Sequence, residues 1–177
     1  GTGKIGGCFA QIMQGFGCRV LAFDLAADTD LEKKGVKYLA LTDLFRQSDI
    51  ISLHCPLTEQ TKHLVNKTSL EMMKDGVMLI NTSRGGLFDT KATINALKKG
   101  KLGYLGIDVY EQEEMLFFHD LSENIIEDEM IMRLMSFPNV LVTAHQGFLT
   151  NEALTQIALV TLQNLEDFEK KKPLENT

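Results

Sequence analysis

The chain has 177 residues, of which 44% are hydrophobic and 24% charged, and its formal net charge is −6 at pH 7. That length suits one α/β domain with a sizeable core, and the acidic balance argues against a general nucleic-acid or anionic-membrane binder. No apolar stretch approaches the roughly 18 residues that a membrane span needs.

The predicted elements begin with Gly1-Thr2-Gly3-Lys4-Ile5-Gly6. Gly1 permits a tight strand-to-helix turn, Gly3 lets the backbone approach a pyrophosphate, and Gly6 allows close packing of helix on strand. No strand precedes Gly1, and no initiator Met, signal peptide or basic presequence is present. The chain therefore reads as a fragment that begins at a strand-to-turn junction. Phe9, Ile12, Met13 and Phe16 give the following helix an apolar stripe, ending near Gly15-Phe16-Gly17. A strand over 19–24 shows no polar alternation, as expected when both faces are covered. It ends on Asp24, whose carboxylate can accept hydrogen bonds from an adenosine ribose.

A short helix over 30–34, a strand over 36–39, a helix over 43–47 capped by Thr42 and a strand over 50–53 come next. Pro56 turns the chain at that strand's carboxyl end. Helix 69–74, strand 77–80, helix 91–99 stopped by Gly100, and strands 104–108 and 140–143 follow. The closing helix, 151–171, carries Leu154, Ile157, Ala158, Leu162, Leu165 and Phe168 on its apolar positions. Strands alternating with helices imply right-handed crossovers and an α/β, Rossmann-type doubly wound parallel sheet, here lacking its first strand. Cys8, Cys18 and Cys55 form neither a CxxC pair nor an even disulfide framework and read as buried reduced thiols. Without His or Cys at metal spacing, no metal site is expected.

In open parallel sheets, ligands lie beyond the carboxyl ends of the strands. The residues there are Asp24, Cys55-Pro56, Asn81-Thr82-Ser83-Arg84-Gly85-Gly86, Asp108 with Glu111 and Glu113, and His145-Gln146-Gly147. Arg84 precedes two glycines that leave space around it, and its fork can hold a carboxylate at two points. His145, just past a strand, can move a proton at neutral pH. Glu113 is the natural carboxylate to orient it and favour its protonated form, with Glu111 and Glu114 as competitors that spacing does not exclude. His54 is at a strand end, whereas His63 and His119 read as surface residues.

These residues resemble the nucleotide-binding domain of the D-isomer-specific 2-hydroxyacid dehydrogenases over essentially the whole chain. The matching motifs are GTGKIG at 1–6, Asp24, HCPLTEQTKHL at 54–64, MLINTSRGGLFD at 78–89, GIDVYEQE at 106–113 and NVLVTAHQGFLTNEAL at 139–154. The segment from Leu116-Phe117-Phe118 to Arg133-Leu134, and Phe148-Leu149-Thr150 after His145-Gln146, are similar to the fermentative D-lactate dehydrogenases within that family.

The resemblance implies an NAD-dependent enzyme that interconverts pyruvate and D-lactate in the cytoplasm. Arg84 would anchor the 2-oxo acid, His145 would be the acid/base and Glu113 its support. Gly1, Gly3 and Gly6 would form the cofactor-binding turn, on which Lys4 and Ile5 would meet the pyrophosphate, with Asp24 at the adenosine ribose and Asp108 at the nicotinamide carboxamide. Cys55, Pro56, Thr61, Thr82 and Ser83 would line the rest of the groove. Residues 1–177 would form the NAD-binding domain, with 149–177 returning toward a substrate domain outside this chain. The family pairs through these domains, so a homodimer or dimer of dimers is expected, with Met72-Met73 and Met130 to Met135 offering apolar surface. A dehydrogenase for a bulkier acid such as D-2-hydroxyisocaproate is an alternative, and an NAD-sensing co-repressor-like protein is one of another class.

Overall fold

In a computed structural model of the protein, residues 1–117, 120 and 125–174 are described. Phe118 and His119 lie outside them. The chain forms two compact units, residues 1–144 and 145–177.

In the first unit, apolar strands buried by flanking helices build two parallel sheets. β1 (Leu21–Ala22) pairs with β2 (Lys37–Tyr38). β3 (Ile50–Leu53), β4 (Val77–Asn81), β5 (Leu102–Ile107) and β6 (Val140–Val142) lie side by side in that order, all parallel. The helices α1 (Lys4–Gly15), α2 (Thr29–Lys33), α3 (Leu41–Gln47), α4 (Lys67–Met72), α5 (Thr90–Lys98) and α6 (Glu129–Met135) precede these strands in turn. This is the Rossmann-type arrangement that the alternating pattern predicts. Leu79, Leu87 and Val65 are fully buried at the centre of the main core, and Ala10, Ala22, Leu31 and Val36 make a smaller one under β1 and β2. Gly1 stands between the two sheets. Its amino group donates to the Phe23 carbonyl at 2.9 Å, and a Cβ on it would meet the His54 carbonyl oxygen at 2.5 Å.

Most helix starts are set by short polar side chains that satisfy otherwise unpaired amides. Asp28 caps α2, Asp89 caps α5 and Asp128 caps α6, while Asn66 and Ser69 exchange bonds reciprocally at the start of α4. Gly100, at φ 70°, closes α5, with Lys101 N–H reaching back to the Ala96 carbonyl. α7 (Asn151–Glu169), capped by Thr150, is the helix of the second unit.

Four expectations need correction. The stripe on α1 is not its buried face: Phe16 is 77% and Ile12 51% exposed, and the helix packs instead through Gly6, Gly7 and Ala10. Small residues win there because the helix must approach the turn closely. α3 begins before Thr42, with Ala40 as an N-cap that offers no side chain, because burial of Leu44 and Phe45 sets the helix position. Cys8 and Cys18 are exposed and Cys55 half-buried, all as free thiols. Met73 is buried in the core, which removes it from the expected apolar surface, whereas Met130, Met132 and Met135 are exposed. Sequence reading also missed α6, whose Ile131 and Leu134 lie at helical spacing and are each 2% exposed.

Candidate functional site

Two of the three glycines of the first turn are required by space. A Cβ on Gly6 would meet the Gly1 carbonyl oxygen at 2.1 Å, and one on Gly1 would enter the His54–Cys55 peptide. Gly3 differs: nothing lies within 4 Å of the Cβ position, so its backbone faces open space. Gly3 is also the N-cap of α1 and offers no side chain. The amides of Lys4, Ile5 and Gly6 thus have no intrahelical acceptor and lie at the positive end of the helix dipole. An uncapped helix start beside an open glycine fits an anionic pyrophosphate. Lys4 and Ile5 are exposed on that first turn.

Asp24 follows β1 and is tied to the same turn. Its Oδ2 accepts from Thr2 N at 2.5 Å and from Thr2 Oγ1 at 3.1 Å, and Tyr38 donates to Thr2 Oγ1 at 2.9 Å. The Thr2 amide holds the Asp24 carboxyl below its ordinary range. Oδ1 carries only a long contact, 3.4 Å, from Ala26 N. The carboxylate therefore keeps acceptor capacity on its outer side for hydroxyl donors.

Beyond β3, His54 turns inward, its Nε2 2.9 Å from Ser52 Oγ and its ring 5.1 Å from that of Phe9. Burial pulls its pKa down, and burial pushes the Cys55 thiol up. Thr61 donates to the Pro56 carbonyl at 2.7 Å and accepts from Thr58 N at 2.8 Å. It shapes the loop after Pro56.

The Arg84 turn is built on Asn81, which is 1% exposed. Asn81 Oδ1 accepts from Ser83 N at 3.1 Å, and Asn81 Nδ2 donates to the Arg84 carbonyl at 2.9 Å. Ser83 Oγ donates to the Leu53 carbonyl at 2.8 Å, joining the ends of β3 and β4. Thr82 and Arg84 are exposed, and Arg84 Nη1 donates to the Ser83 carbonyl at 2.7 Å. The following glycine does not leave room for a ligand, as the sequence suggested. A Cβ on Gly85 would lie 2.0 Å from the Tyr110 carbonyl carbon, so this turn is pressed against the chain after β5.

That chain carries the acids. Asp108 is buried, its N–H donates to the Asn81 carbonyl at 3.0 Å, and Thr143 Oγ1 donates to its carboxylate at 2.5 Å. Glu113 is half-buried and accepts from Tyr110 N at 2.8 Å. Glu111 has both oxygens engaged, Oε1 with His63 Nε2 at 2.7 Å and Oε2 with Thr90 Oγ1 at 2.9 Å. Tyr110 donates to both oxygens of Asp128, and burial with that carboxylate raises its pKa. His145 follows β6 and opens the second unit, with φ 54° at both Ala144 and His145 making a sharp turn.

The first unit thus brings together Asp24 with the glycine turn, and Arg84 with Asp108 and Glu113 across the ends of β4 and β5. Sequence reading gave no role to Asn81, Tyr110 or Thr143. For Asn81 and Thr143 the available signal was a polar residue closing an apolar strand. His63, read as a surface residue, is half-buried and paired. Among the described residues, no group of His, Cys, Asp and Glu is placed to hold a metal. No helix among them is long and apolar enough to cross a membrane.

Comparison with known proteins gives the family. The family described as D-isomer specific 2-hydroxyacid dehydrogenase, NAD binding domain, matches residues 1–147. A 2-hydroxyacid dehydrogenase A of Aspergillus oryzae is 54% identical over 177 residues, 100% of this chain and 51% of that protein. D-lactate dehydrogenase of Escherichia coli is 52% identical over 176 residues, 99% of this chain and 54% of that protein. Among solved structures, D-lactate dehydrogenase of Aquifex aeolicus complexed with NAD and lactic acid has a TM-score of 0.90 at 39% identity, covering 97% of this chain and 52% of that one. The chain spans about half the length of the curated relatives it matches.

Proposed function

Since this chain belongs to the D-isomer specific 2-hydroxyacid dehydrogenases, as their NAD binding domain, we propose that the complete protein is an NAD-dependent D-lactate dehydrogenase. The observation that carries this reading is the Arg84 turn, fixed by buried Asn81 and pressed by Gly85 against the Glu113 segment at the strand ends. It sets an exposed arginine on a turn packed against the acid-bearing segment after β5, where a parallel sheet binds its ligands. The relatives named for D-lactate dehydrogenase support the substrate.

In this reading NADH, when bound, supplies the hydride that reaches the carbonyl carbon of pyruvate. The amides at the start of α1 take the pyrophosphate, Asp24 the adenosine ribose, and Asp108 the carboxamide end. Cys55, Pro56, Thr61, Thr82 and Ser83 line the groove between them. Arg84 takes the substrate carboxylate as a fork and polarises the carbonyl. His145 gives its proton to the carbonyl oxygen as the alkoxide forms, so pyruvate, hydride and proton balance to D-lactate. Glu113, with Glu111 engaged elsewhere, is the carboxylate that orients His145.

Residues 1–177 form the NAD-binding domain in this proposal, with 149–177 returning to the substrate domain of the complete protein. We assign the protein to the cytoplasm, where three free thiols remain reduced. We assign it a homodimer or dimer of dimers, supported by the exposed Met130, Met132 and Met135. The deciding experiment is NADH oxidation by the full-length protein with pyruvate and with bulkier 2-oxo acids, the product resolved by chirality. Reduction of pyruvate to D-lactate is expected. NADH binding without turnover of any 2-oxo acid would defeat the enzyme reading, and preference for a bulky acid would replace the substrate.

A further inference from the structure

Glu111 supplies the amide nitrogen of the Tyr110–Glu111 peptide on which Gly85 packs, and lies two residues before Glu113. Its carboxylate joins three segments. Oε1 pairs with His63 Nε2 at 2.7 Å, and Oε2 accepts from Thr90 Oγ1 at 2.9 Å and Thr90 N at 3.4 Å, at the first turn of α5. His63 in turn grips the Arg84 turn through its backbone, its N–H donating to the Gly86 carbonyl at 2.8 Å. Two residues on, Val65 N–H donates to Leu87 at 3.0 Å and its carbonyl accepts from Asp89 N–H at 2.9 Å.

His63 also has φ 51°, a left-handed conformation that a non-glycine residue keeps only where its surroundings fix it. Three bonds do so here: the one to Gly86, the one to Glu111, and Asn66 Nδ2 donating to the His63 carbonyl at 2.9 Å. A surface histidine with no task beyond solvation would not need this conformation.

We propose that His63 and Glu111 are a pair of positioning residues that lock the Arg84 turn to the Glu113 segment. They set the affinity for the 2-oxo acid without touching it. The pair acts through Arg84 and so rests on the proposed function. Gly85 supplies the contact between the two backbones, and the His63–Glu111–Thr90 chain prevents them from sliding along it. Charge-assisted hydrogen bonds of this kind are short and directional, which suits a register device.

The test is a double-mutant cycle in the full-length protein, with His63→Ala, Glu111→Ala and both together, read as KM for pyruvate, kcat and NADH affinity. Each single change is expected to raise KM about tenfold, the scale of losing one hydrogen bond to a charged group. The double variant should be no worse than either single one, and NADH affinity should stay within about twofold. His63→Gln, which keeps a donor, should recover part of the loss. If a variant fails to fold, His63→Phe and Glu111→Met, which keep bulk and remove the bond, carry the cycle. An unchanged KM, multiplicative losses, or NADH affinity falling in step with KM would each overturn the proposal. Arg84→Ala, assayed beside them, separates the two levels. If it leaves KM unchanged, the functional reading fails; if it raises KM while the pair does not, only this inference fails.

Discussion

The nucleotide end and the Arg84 end of the first unit are built in different ways. At the nucleotide end, Gly1, Thr2, Gly3 and Gly6 lie within one turn, and a single carboxylate, Asp24, fastens it through Thr2. At the other end, the Arg84 turn is placed by Asn81, by Gly85 against Tyr110, and beside a chain through His63, Glu111 and Thr90. These partners are separated by up to 48 positions. The first site is fixed mainly by close backbone approaches and one carboxylate, the second by a close backbone approach and several side-chain bonds. A substitution at the first should thus act chiefly through the space its side chain takes, and at the second through the bond it removes.

Removing a reacting group gives the largest effect. In the full-length protein, His145→Ala is expected to lower kcat for pyruvate reduction on the order of 10²–10⁴-fold, the usual contribution of a positioned acid/base. NADH affinity, read by fluorescence titration, should be nearly unchanged. Comparable losses in both would mean that the two ends are not separable in this way.

The glycine turn offers a finer division. Gly6→Ala should destabilise by about 1–3 kcal/mol, because its Cβ would meet a backbone oxygen that has nowhere to go. Gly3→Ala should leave stability within about 0.5 kcal/mol, since its Cβ enters open space at an ordinary φ of −63°. It should nevertheless weaken NADH on the order of tenfold, about 1.4 kcal/mol, by filling the approach to the pyrophosphate. Thermal unfolding and NADH titration of both variants check this. A Gly3→Ala protein with unaltered NADH affinity would show that this open space is not the phosphate site.

Legibility in the sequence follows the same division. The glycine turn, Asp24 and the four strands of the main sheet were legible because spacing and apolar runs encode them locally. β3 was even placed at its observed ends, Ile50–Leu53. The engagement of Glu111 was not legible, because it depends on His63 and Thr90 reaching it from distant segments. The role of Gly85 was misread for a like reason: whether a missing side chain leaves room for a ligand or for a neighbouring backbone is settled by the fold. The α1 stripe failed because apolar spacing identifies a helix but not which face meets the sheet when glycines permit closer approach.

Cofactor choice tests whether Asp24 serves the ligand as well as the turn. Its carboxylate would repel a 2′-phosphate and accept from a free 2′-hydroxyl. Asp24→Ala should raise KM for NADH more than for NADPH, by several-fold in the ratio, about 1 kcal/mol. Equal loss with both cofactors would leave Asp24 a purely structural clasp.

The smallest effect is that clasp itself. The bond from Thr2 N–H holds the Asp24 carboxyl below its ordinary value of 3.8, so folding favours the ionised form. A depressed carboxylate stabilises the fold above its unfolded value and loses that contribution as pH falls from about 3.8 through the lower folded value. The group is half-exposed, so solvent screening keeps the contribution to about 1 kcal/mol or less. The difference between wild type and Asp24→Asn isolates it, since the amide cannot ionise. Urea unfolding of the two should show a constant gap near neutral pH that narrows as the wild-type carboxylate takes up its proton. A gap of the same size down to about pH 3 would show that Thr2 holds Asp24 no more tightly in its charged than in its neutral form.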